Sequence, residues 1–392
     1  MQILKAFKFE LIPNGAAIRK MKQFCGCSRF VFNRALAYQN EQYQQDNSFK
    51  FSYTKIANLL PEWKRELDWL KDCHSQVLQQ SLKDLEASFK NFFAKRAEFP
   101  KFKRKGEKDS FRFPQGCKLE QQNSRIYFPK IGWVRYRNSR NVSGCLKNVT
   151  VSQKCGKWYV SIQTECETEI PMPKGGEIGI DMGVARFATL SDGQFFKPIA
   201  AFKMLKGKLA KLQKRFKNKT KFSKNWQKLK LKISKLHHKI ANIRKNHLHQ
   251  ITSEISQNHA IVFVEDLQVA NMSKSAKGSA EKHGKNVKQK SGLNRAILDQ
   301  SWFEFRRQLD YKLLWNGGHL IAVPPQNTSR CCPACNHTSK DNRQTQANFK
   351  CVECGYQNNA DIVGAINVLK RGQEILAAKS VSGQDLSVAR VK

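Results

Sequence analysis

No apolar run in this 392-residue sequence approaches the roughly 18 residues a membrane-spanning helix needs, and the N-terminus lacks the apolar core of a signal peptide. Acidic residues are scarce, at 31 against 70 lysines and arginines, for a formal net charge of +39. Between Asp192 and Glu254 there is no acid at all. That much unopposed charge with no membrane span points to a polyanion, and nucleic acid is the favoured partner. The 12 cysteines do not suit a disulfide framework: five fall between Cys331 and Cys354, and the others are scattered among apolar neighbours. They read as reduced thiols of a protein in a reducing cytosol. Hydrophobic residues make up 40% of the chain, enough for two or three domains, each with its own core.

The acids that are present hold informative positions. Asp181 ends the β-prone run Glu177-Ile178-Gly179-Ile180-Asp181-Met182-Gly183, where an apolar side chain is expected, and Gly179 and Gly183 would let a backbone or phosphate come close. Phe187 to Leu190 and the Ser191-Asp192-Gly193 turn signal then predict a hairpin. Taken alone, Asp181 could equally be satisfied by neighbouring amides. Glu265 stands at the exit of Ala260 to Leu267, a run too continuously apolar for a half-exposed strand, hence a buried parallel one. Asp361 falls at the start of a helix whose Ile362, Ala365, Ile366 and Leu369 follow core-facing spacing. Two strand ends and a helix start can converge at one sheet edge, where α/β folds place their sites. Three converging acids in a basic protein suggest two Mg²⁺ ions, hard cations that prefer carboxylate oxygens and can stabilise the attacking and leaving oxygens of phosphodiester hydrolysis.

Cys332-Pro333-Ala334-Cys335 and Cys351-Val352-Glu353-Cys354 form paired C-x₂-C knuckles, the ligand set of one structural Zn²⁺. Cys331 competes with Cys332, but only Cys332 gives both halves the same spacing.

Along the chain, Lys5 to Ile12 predicts an amphipathic strand that must pair with later strands, so the helical region from about Ala16 to Arg96 is read as an insertion into a β module. Leu78, Leu82, Leu85, Phe89 and Phe92 form its clearest apolar stripe. Phe99 to Gly106, with Lys101, Lys103 and Arg104, suits a phosphate-tracking loop or a solvated linker. Strands return from Gly116 to Ile170 and could close a small barrel. In the acid-free stretch, Leu205, Leu209, Leu212 and Phe216 make one helical stripe and Leu229, Ile233, Leu236, Ile240 and Ile243 another. The pair predicts a helical hairpin whose Lys211, Lys214, Arg215 and Lys217 face nucleic acid. Asn271 to Gly292 is expected to be a mobile loop, either a lid or a plain connection, before a helix over Trp302 to Trp315 and a strand over Leu320 to Val323.

With these residues in hand, the sequence resembles the transposon-encoded TnpB (OrfB) proteins, often labelled transposases and related to the type V CRISPR effectors. The resemblance rests on Lys5 to Lys8 with Pro13-Asn14, Arg29 to Asn33, Phe99 to Lys103, Gly179 to Gly183 and Val264 to Leu267. It continues through Thr328-Ser329, the two cysteine knuckles, and Asn359-Ala360-Asp361 with Ala365 and Asn367. Departures occur where Asn246 and Gln250 flank His249 and where Ile362-Val363 replaces a commoner Asn-Ala step. Neither removes a metal ligand.

The resemblance implies an RNA-guided DNA endonuclease that binds a guide RNA from its own element and cuts double-stranded target DNA beside a short motif. Its catalytic and Mg²⁺-binding carboxylates fall on Asp181, Glu265 and Asp361. The fold implied is multidomain α/β: an RNase H-like (RuvC) nuclease domain with an inserted zinc ribbon, and an N-terminal β-barrel with an inserted helical domain. The expected boundaries are a barrel (wedge) strand at 1–14, a helical recognition domain at 15–112 and the barrel remainder at 113–173. The nuclease part with the basic hairpin follows at 174–326, the zinc ribbon at 327–358, the final nuclease helix at 359–377 and a disordered tail at 378–392. The alternative function is an RNA-guided DNA-binding repressor, or an accessory transposition factor, without cleavage; the intact acid trio favours cleavage.

Overall fold

The computed structural model describes residues 1–279 and 281–381 and forms two compact units, Met1–Thr168 and the chain from Glu169 onward. The first opens with β1 (Gln2–Ile12), then α1 (Gly15–Gln45), α2 (Tyr53–Ala57), α3 (Leu60–Glu66) and α4 (Ser75–Phe93). Six strands follow: β2 (Ser110–Phe113), β3 (Lys118–Glu120), β4 (Arg125–Phe128), β5 (Gly132–Tyr136), β6 (Cys145–Lys154) and β7 (Lys157–Glu167).

These strands form one seven-stranded antiparallel sheet in the order β2-β6-β7-β1-β5-β4-β3. The first strand therefore sits at the centre, between β7 and β5, although the chain from Pro13 to Ile131 separates it from the nearer of them. Alternation explains its place: Phe9 and Leu11 turn into the core while Lys8 and Glu10 turn out. Helix α1 begins where Pro13 ends the strand and the Asn14 side chain accepts from the Ala17 amide at 2.8 Å. Its Met21, Phe24, Val31, Ala35 and Leu36 join Leu78, Leu82, Leu85 and Phe89 of α4 over the sheet. Phe92, assigned to the same stripe, is only partly buried. The boundary expected between 112 and 113 falls inside β2, because Phe111 and Phe113 alternate inward around Arg112 and continue the strand pattern.

The second unit contains β8 (Glu177–Asp181), β9 (Ala188–Leu190), β10 (Phe195–Phe196), α5 (Ala201–Lys217), α6 (Lys224–Asn258) and β11 (Ile261–Glu265). After these come α7 (Val269–Met272), α8 (Val287–Gln300), α9 (Trp302–Trp315), β12 (His319–Val323), β13 (Asn348–Lys350), β14 (Gln357–Asn359) and α10 (Ala360–Val381). Its main sheet runs β10-β9-β8-β11-β12, with β8, β11 and β12 parallel and β9 antiparallel to β8. Val262, Phe263 and Val264 are fully buried because helices cover both faces. Val262, Val264, Ile178 and Ile180 pack on Leu248, Ile251 and Ile255 of α6 and Phe305 and Leu309 of α9. Phe263 points the other way, onto Val368 of α10. Helix α10 lies close enough that a Cβ on Gly179 would stand 2.3 Å from the Ala365 carbonyl oxygen, so that position admits only glycine.

Helices α5 and α6 form the hairpin, tipped by Trp226 with Phe216 and Phe222 at centroid distances of 5.0 and 5.6 Å. Three expectations need correction. Asn271 to Gly292 is not a plain loop: α7 ends inside it, a β-bridge joins Gly278 to His283, and α8 starts at Val287. The buried face of α10 is Ala360, Val363, Gly364, Ala365, Asn367 and Val368, with Ile362, Ile366 and Leu369 at its margins, because its glycines seat it on the sheet. The same helix continues to Val381, past the expected end at 377; the rest of the expected tail, 382–392, lies outside the described residues. Among the described residues no helix is long and apolar enough to cross a membrane.

Candidate active site and metal centre

The pleat decides which way the acids point. In β8, Gly179 faces α10 while Ile178 and Ile180 face α6 and α9; two residues on, Asp181 shares the α10 face. In β11 the same parity puts Glu265 on the side of Phe263. Both carboxylates thus end neighbouring parallel strands on the face covered by the helix that carries Asp361. Gly364 makes room for them: a Cβ there would stand 3.2 Å from Asp181 Cγ. Asn359 starts the helix, its Oδ1 accepting from the Asp361 amide at 3.1 Å.

The electrostatics follow from this crowding. Burial, then the Glu265 and Asp361 carboxylates, push the Asp181 carboxyl up to about 8, against the opposing pull of Arg343. Burial also raises Glu265, opposed by a hydrogen bond from Thr328 and by Arg371. Thr328 Oγ1 donates to Glu265 Oε1 at 2.6 Å. Arg343 Nη2 lies 3.8 Å from Asp361 Oδ1. Asp181, Glu265 and Asp361 bring hard oxygen donors of the kind a divalent cation prefers to one end of the sheet, although their oxygens are not gathered as tightly as the four cysteine sulfurs described below.

The other acids of this region are engaged elsewhere. Asp299 accepts from the Phe202 amide at the start of α5 and lies 3.7 Å from Arg244. Glu304 is gripped by Arg307 Nε and Nη2 at 2.7 and 2.8 Å, which, with Gln308, holds its carboxyl down to about 2. Asp266 pairs with Arg306 at 2.5 Å.

The four sulfurs of Cys332, Cys335, Cys351 and Cys354 all lie within 4.8 Å of one another, with Cys332–Cys354 and Cys335–Cys351 each at 3.6 Å. Zn–S bonds of about 2.3 Å in a tetrahedron require sulfurs about 3.8 Å apart, so the set fits Zn²⁺. Cys331 turns its sulfur to the Cys332 and Asn336 carbonyls instead. Among the described residues this is the one group of three or more His, Cys, Asp or Glu ligand atoms gathered so tightly.

The basic candidates divide. Lys211, Lys214, Arg215 and Lys217 are exposed on α5, and none is in an ion pair among the described residues. In the first unit Lys101 is paired with Glu98 at 2.5 Å. The Lys103 ammonium lies 3.9 Å from the Phe32 ring centroid, and Asn33 bonds both its amide and its carbonyl. Arg104 is exposed on the same loop. Thr328, Arg343, Gly364 and Arg371 escaped the sequence reading of the site. Of these only Thr328 had left a signal, as part of the stretch before the first knuckle.

Comparison with known proteins identifies the family. Residues 161–276 match the family model described as "Probable transposase" (OrfB of IS605), and residues 302–368 match "Cas12f1-like, TNB domain". Residues 1–48 match a "Helix-turn-helix domain", although here that segment is one strand followed by one long helix. The chain is 56% identical over 380 residues, 96% of its length and 94% of the relative's, to "Putative RNA-guided DNA endonuclease InsQ" of Escherichia coli K12. A "Putative RNA-guided DNA endonuclease" of Streptomyces pristinaespiralis is 29% identical over 95% of this chain and 90% of its own. Among solved structures, the protein of a "Cas12f1-sgRNA-target DNA complex" superposes with a TM-score of 0.61 at 12% identity, covering 94% of this chain and 98% of that one. At that identity the likeness is one of fold. The 56% identity to the Escherichia coli relative, across nearly the whole of both chains, shows that the chain belongs to the TnpB (OrfB) family.

Proposed function

We propose that this protein is an RNA-guided DNA endonuclease that hydrolyses target DNA at Asp181, Glu265 and Asp361. The observation that carries the reading is the convergence of Asp181, Glu265 and the helix of Asp361 on one face of the sheet, where burial and the two neighbouring carboxylates outweigh the pull of Arg343 on Asp181. The names of its relatives point to the same activity. Two Mg²⁺ ions held there would activate water and stabilise the leaving oxygen. The residues supply the rest: Asp181 and Glu265 give oxygens from neighbouring strands, Asp361 closes the site from α10, and Arg343 tempers the charge beside Asp361.

In the same reading, the four cysteines hold one Zn²⁺ that keeps the segment around β13 and β14 folded, and the thiolates require a reducing cytoplasm. The seven-stranded sheet is the wedge barrel, interrupted in sequence by the recognition helices. The basic face of α5 tracks a nucleic-acid backbone, while base pairing with a guide RNA from the element itself selects the target. The test is to purify the protein, sequence the RNA bound to it, and incubate the complex with Mg²⁺ and a plasmid matching that RNA. Linear product supports the proposal; plasmid that is bound but stays supercoiled overturns it in favour of a binder.

A further inference from the structure

We propose that Thr328 is the positioning residue that aims Glu265 at its cation, and that side chains of α10 hold Thr328 in place for this task. Glu265 is 6% and Thr328 3% exposed, so their 2.6 Å hydrogen bond is shielded from water. A hydroxyl has one proton to give, and its other acceptor in reach, the Pro325 carbonyl, is farther at 3.2 Å. The bond fixes Oε1 and so restricts carboxylate rotation. A ligand aimed in advance loses less conformational freedom on coordination.

Thr328 lies in the irregular segment between β12 and Cys332, where no backbone ladder could hold it. Helix α10 does so instead. Arg371 Nη1 donates to the Pro324 and Gln326 carbonyls at 2.5 and 2.9 Å. Asn367 Nδ2 donates to the Thr328 and Cys331 carbonyls, both at 2.7 Å, and Lys370 Nζ to that of Pro333. Positions 367, 370 and 371 share one helical face, so three donors spaced within one turn clasp the strand-to-knuckle segment. One helix therefore carries the third carboxylate and also fixes the hydroxyl that orients the second.

This inference rests on the reading of Glu265 as a metal ligand, and the experiment separates the two. Mn²⁺ binding to the guide-loaded protein is measured by calorimetry, with the Mg²⁺ dependence of cleavage beside it. Thr328→Val removes the hydroxyl at nearly constant volume and is expected to raise the Mn²⁺ Kd and the Mg²⁺ half-saturation about 10- to 100-fold, the usual cost of losing a partner of a metal ligand, with zinc content unchanged. Thr328→Ser should restore most of the loss. Wild-type Mn²⁺ affinity in Thr328→Val, or equal damage in Thr328→Ser, overturns the inference. If Thr328→Val does not fold, Asn367→Asp, which keeps the shape but loses the clasp donor, must weaken Mn²⁺ binding, and wild-type affinity there overturns it too. If Glu265→Gln also binds Mn²⁺ normally, the reading of Glu265 as a ligand fails; if Glu265→Gln loses binding while Thr328→Val does not, only the positioning role fails.

Discussion

Asp181 and Glu265 stand side by side on adjacent parallel strands, one register step beyond the paired residues Ile180 and Val264. Neighbouring strands are about 4.8 Å apart, so two carboxylates on the same face at this step are held within reach of a shared cation by the backbone ladder itself. The sheet sets the separation of their backbones, and side-chain contacts such as the Thr328 bond to Glu265 then aim the carboxylates.

Replacing Asp181 or Asp361 by Ala, or Glu265 by Gln, is expected to lower cleavage at least about 100-fold while leaving guide-directed binding intact. Asp310→Ala, on the exposed side of α9, is the control that still cuts. Plasmid cleavage alongside gel-shift assays reads both. Normal cleavage by Asp361→Ala would show that the third ligand is misassigned, and Asp299 or Glu304 could replace it only by giving up the partners described above.

Glycine substitutions distinguish close approach from mere helix membership. Gly364→Ala brings a methyl to 3.2 Å from Asp181 Cγ and should reduce cleavage more than stability. Gly179→Ala meets backbone at 2.3 Å and should cost about 1–3 kcal/mol or more, read by chemical denaturation. Gly207→Ala, in α5 with nothing within 4 Å, should be neutral or stabilise by up to about 1 kcal/mol.

The raised Asp181 carboxyl predicts a pH dependence with a definite sign. Without Mg²⁺, the folded protein keeps that proton up to about pH 8, whereas the unfolded chain loses it near 3.8. Stability present below the lower value is therefore lost as pH rises towards 8. Cation binding displaces the proton, so Mn²⁺ affinity should increase through the same window and level off above it. Thermal unfolding and Mn²⁺ titration in Mg²⁺-free buffer test this, and Asp181→Asn should flatten both profiles.

Metal analysis should find one zinc per chain, removable by a strong chelator. Cys351→Ser or Cys354→Ser should lose the zinc and lower the Tm, since the knuckle segment has only a small apolar cluster around Phe349 to hold it. Full zinc occupancy in both variants would contradict the assignment.

Changing Lys211, Lys214, Arg215 and Lys217 together to Gln should weaken binding of the copurified RNA and reduce the log–log salt slope by about 3. Fluorescence anisotropy across a salt series measures it. An unchanged slope would mean that this face of α5 is only solvated.

Much of the second unit was legible because its signals are local. The Val262 to Val264 run, the Cys spacings and the apolar period of α9 each specify their own structure. The face of α10 was misread because its contact with the sheet goes through Gly364 and Gly372, residues that carry no hydrophobic signal. A Cβ on Gly372 would strike the Phe263 ring at 2.0 Å, which only the folded chain reveals. The Thr328–Glu265 bond joins positions 63 apart across irregular chain, and no periodicity encodes such a pairing.

Helix α10 is the last of the described elements in chain order, yet it lines the sheet from Gly179 to Phe263. A growing polypeptide has made every strand of the main sheet, the whole first unit and the basic hairpin before Ala360 is added. Until then it has two of the three acids, an uncovered sheet face and no clasp on Thr328. On the reading proposed above, synthesis thus makes the basic hairpin first and completes the acid trio only when α10 is added, so a nascent chain gains its proposed cutting centre after its proposed nucleic-acid-binding surface. For the same reason, a stop codon between the hairpin and residue 360 would leave the basic hairpin encoded while removing Asp361 and the helix that carries it from the proposed centre.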